Sequence, residues 1–95
     1  MKRKNTGSEL AKMLGVSHAR GMEAVIKAQL ITAILEAIQK KGLTHLDLAK
    51  RSKLPRSAVT GILSGSLQKV TIDRVLRLIE AVGLVAEVRV KNAAA

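Results

Sequence analysis

The sequence predicts a mainly α domain in which five helices close on a short C-terminal β-strand. Three observations carry that prediction. Apolar residues recur at the 3.6-residue period through capped segments between residues 22 and 82, and the period falls to two from Leu84 onward. In "LTHLDLAKRSKLPRSAVTGILSG", residues 43–65, two short helical patterns are joined by a turn so tight that the helices must touch.

The elements follow in chain order. Residues 1–7, "MKRKNTG", are polar and basic and are expected to be disordered, as is the frayed tail 92–95; residues 8–91 between them form one domain. A short helix is expected from Ser8 to Leu14. From Met22 to Lys41, Ile26, Leu30, Ile34, Ala37 and Ile38 make an apolar stripe, with Val25, Ala28, Ile31 and Leu35 as a second flank. A helix apolar on two sides is either a central core helix or one that meets another chain. Gly42 stops it.

Thr44 is placed to cap the next helix, which runs to Arg51 or Ser52, with Asp47 at its third position completing a capping box. Pro55 forces Leu54 out of the helical region and preorganises the first turn of the following helix, which ends near Ser64 before Gly65. "SLQK" is a loop. Thr71 caps a further helix whose buried stripe is Ile72, Val75, Leu76, Ile79 and Val82, and Gly83 closes it. In "LVAEVRVK", Leu84, Ala86, Val88 and Val90 alternate with Val85, Glu87, Arg89 and Lys91, the pattern of a half-buried strand. No other segment offers that strand a partner. It either pairs antiparallel with its own symmetry copy, centred on Val88 so that Glu87 meets Arg89 and Ala86 meets Val90, or remains an irregular edge.

Composition narrows the function. Seventeen Lys and Arg against seven Asp and Glu give a formal charge of +10, so a polyanion is the natural partner. Phe, Tyr and Trp are absent, which argues against single-stranded nucleic acids, whose recognition leans on aromatic stacking. No apolar run approaches the roughly 20 residues needed to span a bilayer, and no apolar signal core follows the basic start, so a cytoplasmic location is expected. Without cysteine there is neither a disulfide nor a Cys-based zinc site. His18 and His45 have no paired ligands at metal spacing, and no nucleophile has a base at a recognisable spacing. No metal, cofactor or enzymatic activity is therefore expected.

Two stretches compete as a helix-turn-helix: "ELAKMLGVSHAR" at 9–20 and "DLAKRSKLPRSA" at 47–58. Such a unit needs a small residue where its helices touch, an apolar residue in the turn, and two apolar residues three apart on the inner side of the second helix. The later stretch supplies Ala49, Leu54, Val59 and Ile62, whereas the earlier one has Gly21 where Val59 should have its counterpart. Arg56, Ser57, Thr60, Gly61 and Ser64 share the other side of the second helix, and none of them is a large apolar residue. Small hydroxyls and glycine permit close approach to base edges, and Arg56 suits the bidentate contact to guanine. Thr44 and His45, at the start of the supporting helix, and Lys53 in the turn are candidate phosphate contacts, as are Gln68 and Lys69 in the loop beyond.

Residues 43–65 resemble the XRE or Cro-type helix-turn-helix family of phage repressors. The wider span from Ser8 to Lys91, with "KAQL", "SAVTGILSG", "TIDRVLRLIEAVG" and a terminal strand, is similar to a subgroup of small HigA-like antitoxins. The resemblance implies a Cro-like five-helix domain that forms a homodimer, binds a palindromic operator as a transcriptional repressor, and in many relatives neutralises a RelE-like toxin. His45, Ser52, Lys53 and Pro55 depart from that pattern, which usually has Gln, Leu, Gly and Ser or Thr there. Lys53 is then expected in a left-handed conformation, at a cost on the order of 1 kcal/mol relative to glycine. The alternative function is a protein-interaction module that sequesters such a toxin and binds DNA only weakly.

Overall fold

The computed structural model describes residues 18–65 and 70–93. Within them lie α1 (His18–Lys41), α2 (His45–Ser52), α3 (Arg56–Leu63) and α4 (Ile72–Ala81). α1 packs against α3 and α4, and α2 packs against the same two, so one core sits between the long helix and the three short ones. Ile34, Leu48, Val59, Val75, Leu78 and Val82 are its fully buried side chains. Burial of each stabilises the fold by about 1.5–3 kcal/mol before entropy is counted.

The ends of the helices are fixed locally. Gly42 stands at φ +64°, and the Leu43 N–H reaches back to the Ile38 carbonyl at 3.2 Å, so the chain leaves α1 through a Schellman turn that lays Leu43 and Ile38 on the core. At α2 the capping box is complete: the Asp47 N–H donates to Thr44 Oγ1 at 3.0 Å and the Thr44 N–H donates to Asp47 Oδ2 at 2.8 Å. Thr71 Oγ1 accepts from the Arg74 N–H at 3.3 Å to open α4. α4 closes as α1 does, with Gly83 at φ +81° and the Leu84 N–H on the Ile79 carbonyl at 3.0 Å.

α4 has no basic residue in its own last turn, and two cations from elsewhere complete its C-terminus. Arg51 of α2 donates through Nη1 to the Ala81 carbonyl at 3.2 Å, and Lys41 at the end of α1 donates through Nζ to the Val82 carbonyl. Each satisfies a terminal carbonyl and sits at the negative end of the helix dipole. These contacts tie α1, α2 and α4 together at one corner.

Five expectations need correction. Five helices and a closing strand do not describe the molecule: among the described residues there are four helices and no strand, and the helix expected at Ser8–Leu14 falls outside them. Residues 84–93 have no regular structure, and Val85, Val88 and Val90 are 88%, 82% and 90% exposed, so neither parity of the alternation is covered. A strand has no hydrogen bonds of its own and needs a neighbour's, which none of the described residues supplies. On α1 the expected stripe holds at Leu30, Ile34, Ala37 and Ile38 but not at its start: Ile26 is 42% exposed, while Lys27 is buried with Ile31 and Ile34 and paired with Glu23 at 3.0 Å. In α4 Leu76 is likewise 42% exposed and Leu78 takes the core position, because Leu78 shares the inner side with Val75 and Ile79. α1 also begins earlier than Met22, at His18.

Candidate nucleic-acid interface

α2 and α3 are joined by three residues whose geometry sets the pair. Lys53 adopts φ 60°, ψ 26°, the left-handed conformation that a side chain resists and this turn demands. Leu54 is buried beneath the turn, and its N–H is held by the hydroxyl of the buried Ser52 at 3.3 Å. Pro55, at φ −60° and ψ 145°, launches α3 and accepts the Val59 N–H on its carbonyl. Val59 and Ile62 then face the core while Ala49 packs at its edge. The small, turn and inner-side residues expected of a helix-turn-helix all occupy the corresponding places.

The outward side of α3 is open. Arg56 and Ser57 form its exposed first turn, Thr60 is exposed one turn on, and Ser64 is exposed at the C-cap with its hydroxyl donating to the Gly61 carbonyl at 2.8 Å. A Cβ added at Gly61 would meet no atom within 4 Å, so that glycine leaves space in front of α3 rather than fitting a tight internal contact. Gln68 and Lys69 lie outside the described residues.

At the start of α2 the two candidates differ. Thr44 is engaged by the capping box through both its hydroxyl and its N–H. Hydrogen bonding from the Thr44 N–H, and then from its hydroxyl, holds the Asp47 carboxyl below the usual carboxylate value. An ionised Asp47 beside the helix terminus opposes an incoming anion there, which leaves the His45 side chain rather than the helix end as the candidate for a phosphate contact. His45 is half-buried, and its Nδ1 lies 3.0 Å from Thr60 Oγ1 on α3. Fifteen positions separate the two in sequence, and neither a period nor a motif couples them; the crossing of α2 and α3 does.

The structure also sorts the cations, which composition counts alike. Lys27 pairs with Glu23, Arg77 with Asp73 at 3.3 Å, and Lys41 and Arg51 serve the end of α4. Lys53 and Arg56 make no hydrogen bond or ion pair among the described residues and stand exposed where α2 turns into α3. Their charge is uncommitted at the mouth of the outward side.

A family model for a helix-turn-helix domain matches residues 14–91. The chain belongs to that family. The match spans the α2–α3 unit together with the helices that support it on either side. No curated protein and no solved structure matches this helix-turn-helix chain. None of its described helices is long and apolar enough to cross a membrane.

Proposed function

We propose that this helix-turn-helix protein is a transcriptional regulator that binds double-stranded DNA with sequence preference, reading the major groove with the outward side of α3. One observation carries the reading: Val59 and Ile62 anchor α3 on the core while Arg56, Ser57, Thr60 and Ser64 stand exposed on its other side, with an uncommitted guanidinium at the helix N-terminus. That is the docking geometry in which the N-terminal residues of a recognition helix meet base edges. Arg56 takes a guanine, Ser57, Thr60 and Ser64 take base edges or sugars, and Gly61 lets the backbone approach. Lys53 and His45 hold phosphates that fix the register, as do Gln68 and Lys69, which follow α3 in sequence.

A single α3 offers few long side chains to the bases. Two copies related by a twofold axis would reach half-sites about 34 Å apart on a palindromic operator. The exposed apolar side chains of residues 86–90 are where we place the contact between copies. The resemblance to HigA-like antitoxins extends the reading to a repressor of its own operon with a RelE-like toxin as partner. The alternative, a module whose main task is to sequester that toxin, is favoured by Met22, Ile26 and Leu35, all partly exposed on α1.

Selection from a pool of random duplexes, followed by mobility-shift titration at several salt concentrations, tests the proposal. A twofold-symmetric enriched sequence bound well above random DNA supports it. Equal affinity for the enriched and starting pools would leave only charge-driven binding and remove the regulator.

A further inference from the structure

His45 and Thr60 belong to different helices, yet their side chains meet at 3.0 Å between Nδ1 and Oγ1. A threonine inside a helix commonly returns its proton to the carbonyl four residues back, as Thr32 does to Ala28 at 2.9 Å. Thr60 is bonded to the imidazole of the supporting helix instead. A free hydroxyl rotates, and so reads donors and acceptors on base edges without distinction. A hydroxyl held by histidine has lost that freedom.

The sense of the bond is set by the tautomer of the imidazole, which the proposed phosphate contact of His45 would select. A neutral imidazole has one N–H, so one ring nitrogen donates and the other accepts. With Nε2–H given to a phosphate oxygen, Nδ1 has only its lone pair, and Thr60 must place its one proton there. The Thr60 oxygen then meets the groove with lone pairs alone. Gly61 leaves the adjoining space empty, so a base edge can reach that oxygen.

We propose that His45 is a positioning residue for specificity, which fixes Thr60 as a hydrogen-bond acceptor and so makes this position of α3 select an exocyclic amino group. In the major groove those groups are the N6 amino of adenine and the N4 amino of cytosine, whereas guanine and thymine present only acceptors. The inference rests on α3 being the groove-reading helix.

The experiment measures affinity for the selected duplex with each of the four base pairs placed in turn at every position, for wild type, His45→Gln, Thr60→Val and the double variant. Glutamine still reaches a phosphate but offers both a donor and an acceptor to Thr60, so it leaves the hydroxyl's sense unset. Wild type is expected to favour adenine or cytosine over guanine and thymine at one position by roughly five- to tenfold, the worth of one net hydrogen bond. Either single variant should bring that preference below about twofold, and the double variant should lose nothing further. Without DNA, Thr60→Val should move the His45 Nδ1 resonance in nitrogen-15 spectra. Preference for guanine or thymine at the position lost in Thr60→Val, full preference surviving in His45→Gln, additive losses, or an unmoved Nδ1 resonance each overturn the inference while sparing the reading of α3. No base preference at any position in wild type overturns both.

Discussion

α3 and residues 84–91 make an instructive pair. Each is eight residues of regularly spaced apolar side chains, yet α3 buries Val59 and Ile62 almost completely while Val85, Val88 and Val90 stand in solvent. The difference lies in where the backbone hydrogen bonds go. A helix satisfies its own N–H and C=O groups, so α3 needs only an apolar surface to lie on, and α2 and α1 provide it. A strand satisfies nothing until a second strand arrives. Regular patterning therefore became a packed helix in one region and an open segment in the other.

Truncation should expose that contrast most strongly in stability. Leu48→Ala, which empties a fully buried site beneath α3, is expected to lower the unfolding free energy by about 2–5 kcal/mol, whereas Val88→Ala should stay within about 0.5 kcal/mol by urea denaturation of the isolated chain. Comparable losses at both positions would mean that residues 84–91 are already covered, by the proposed contact between copies, in the free protein.

Next in size is Arg56→Ala, expected to cost about 1–3 kcal/mol of binding to a selected duplex and to relax discrimination at one base pair, with folding unchanged. Mobility shifts on selected and random duplexes check it; equal losses on the two would take Arg56 out of base reading. Lys53→Gly should act in opposite directions on the two properties. Relief of the left-handed side chain at φ 60° raises stability by about 0.5–1 kcal/mol, while removal of one phosphate contact reduces the slope of log affinity against log salt by about 0.9.

The smallest effect concerns the entry to α2. Because the folded state holds the Asp47 carboxyl below its unfolded value, near 3.9, the capping box contributes stability in full above that pH and loses it as pH falls through the lower folded value. Asp47→Asn should therefore weaken the fold at neutral pH and flatten this part of the acid limb in denaturation midpoints measured from about pH 6 to 2. An unchanged acid limb would show that Thr44 alone caps the helix.

Much of the α2–α3 unit was legible in the sequence because its signals are local. Thr44 with Asp47, Pro55 after Leu54, and the glycines at 42 and 83 each act within a few residues, and the structure holds all of them where they were expected. The inner-side residues of α1 and α4 were read less well. Both helices carry apolar residues on more than one side, so whether Ile26 or Lys27, and Leu76 or Leu78, is buried is decided by which neighbouring helix lies across it rather than by period alone. The same holds for the site. Arg56, Ser57 and Thr60 followed from the projection of α3, but the bond from His45 to Thr60 and the engagement of Lys41 and Arg51 with the end of α4 exist only through helix crossings.

The central claim, that the outward side of α3 enters a DNA groove, is tested most directly by amide chemical-shift changes as a selected duplex is added to the nitrogen-15-labelled chain. The account predicts that the largest changes cluster at Arg56, Ser57, Thr60, Gly61 and Ser64, with smaller ones at His45 and Lys53. Changes concentrated on the exposed sides of α1 or α4, with residues 56–64 unmoved at saturation, would contradict it.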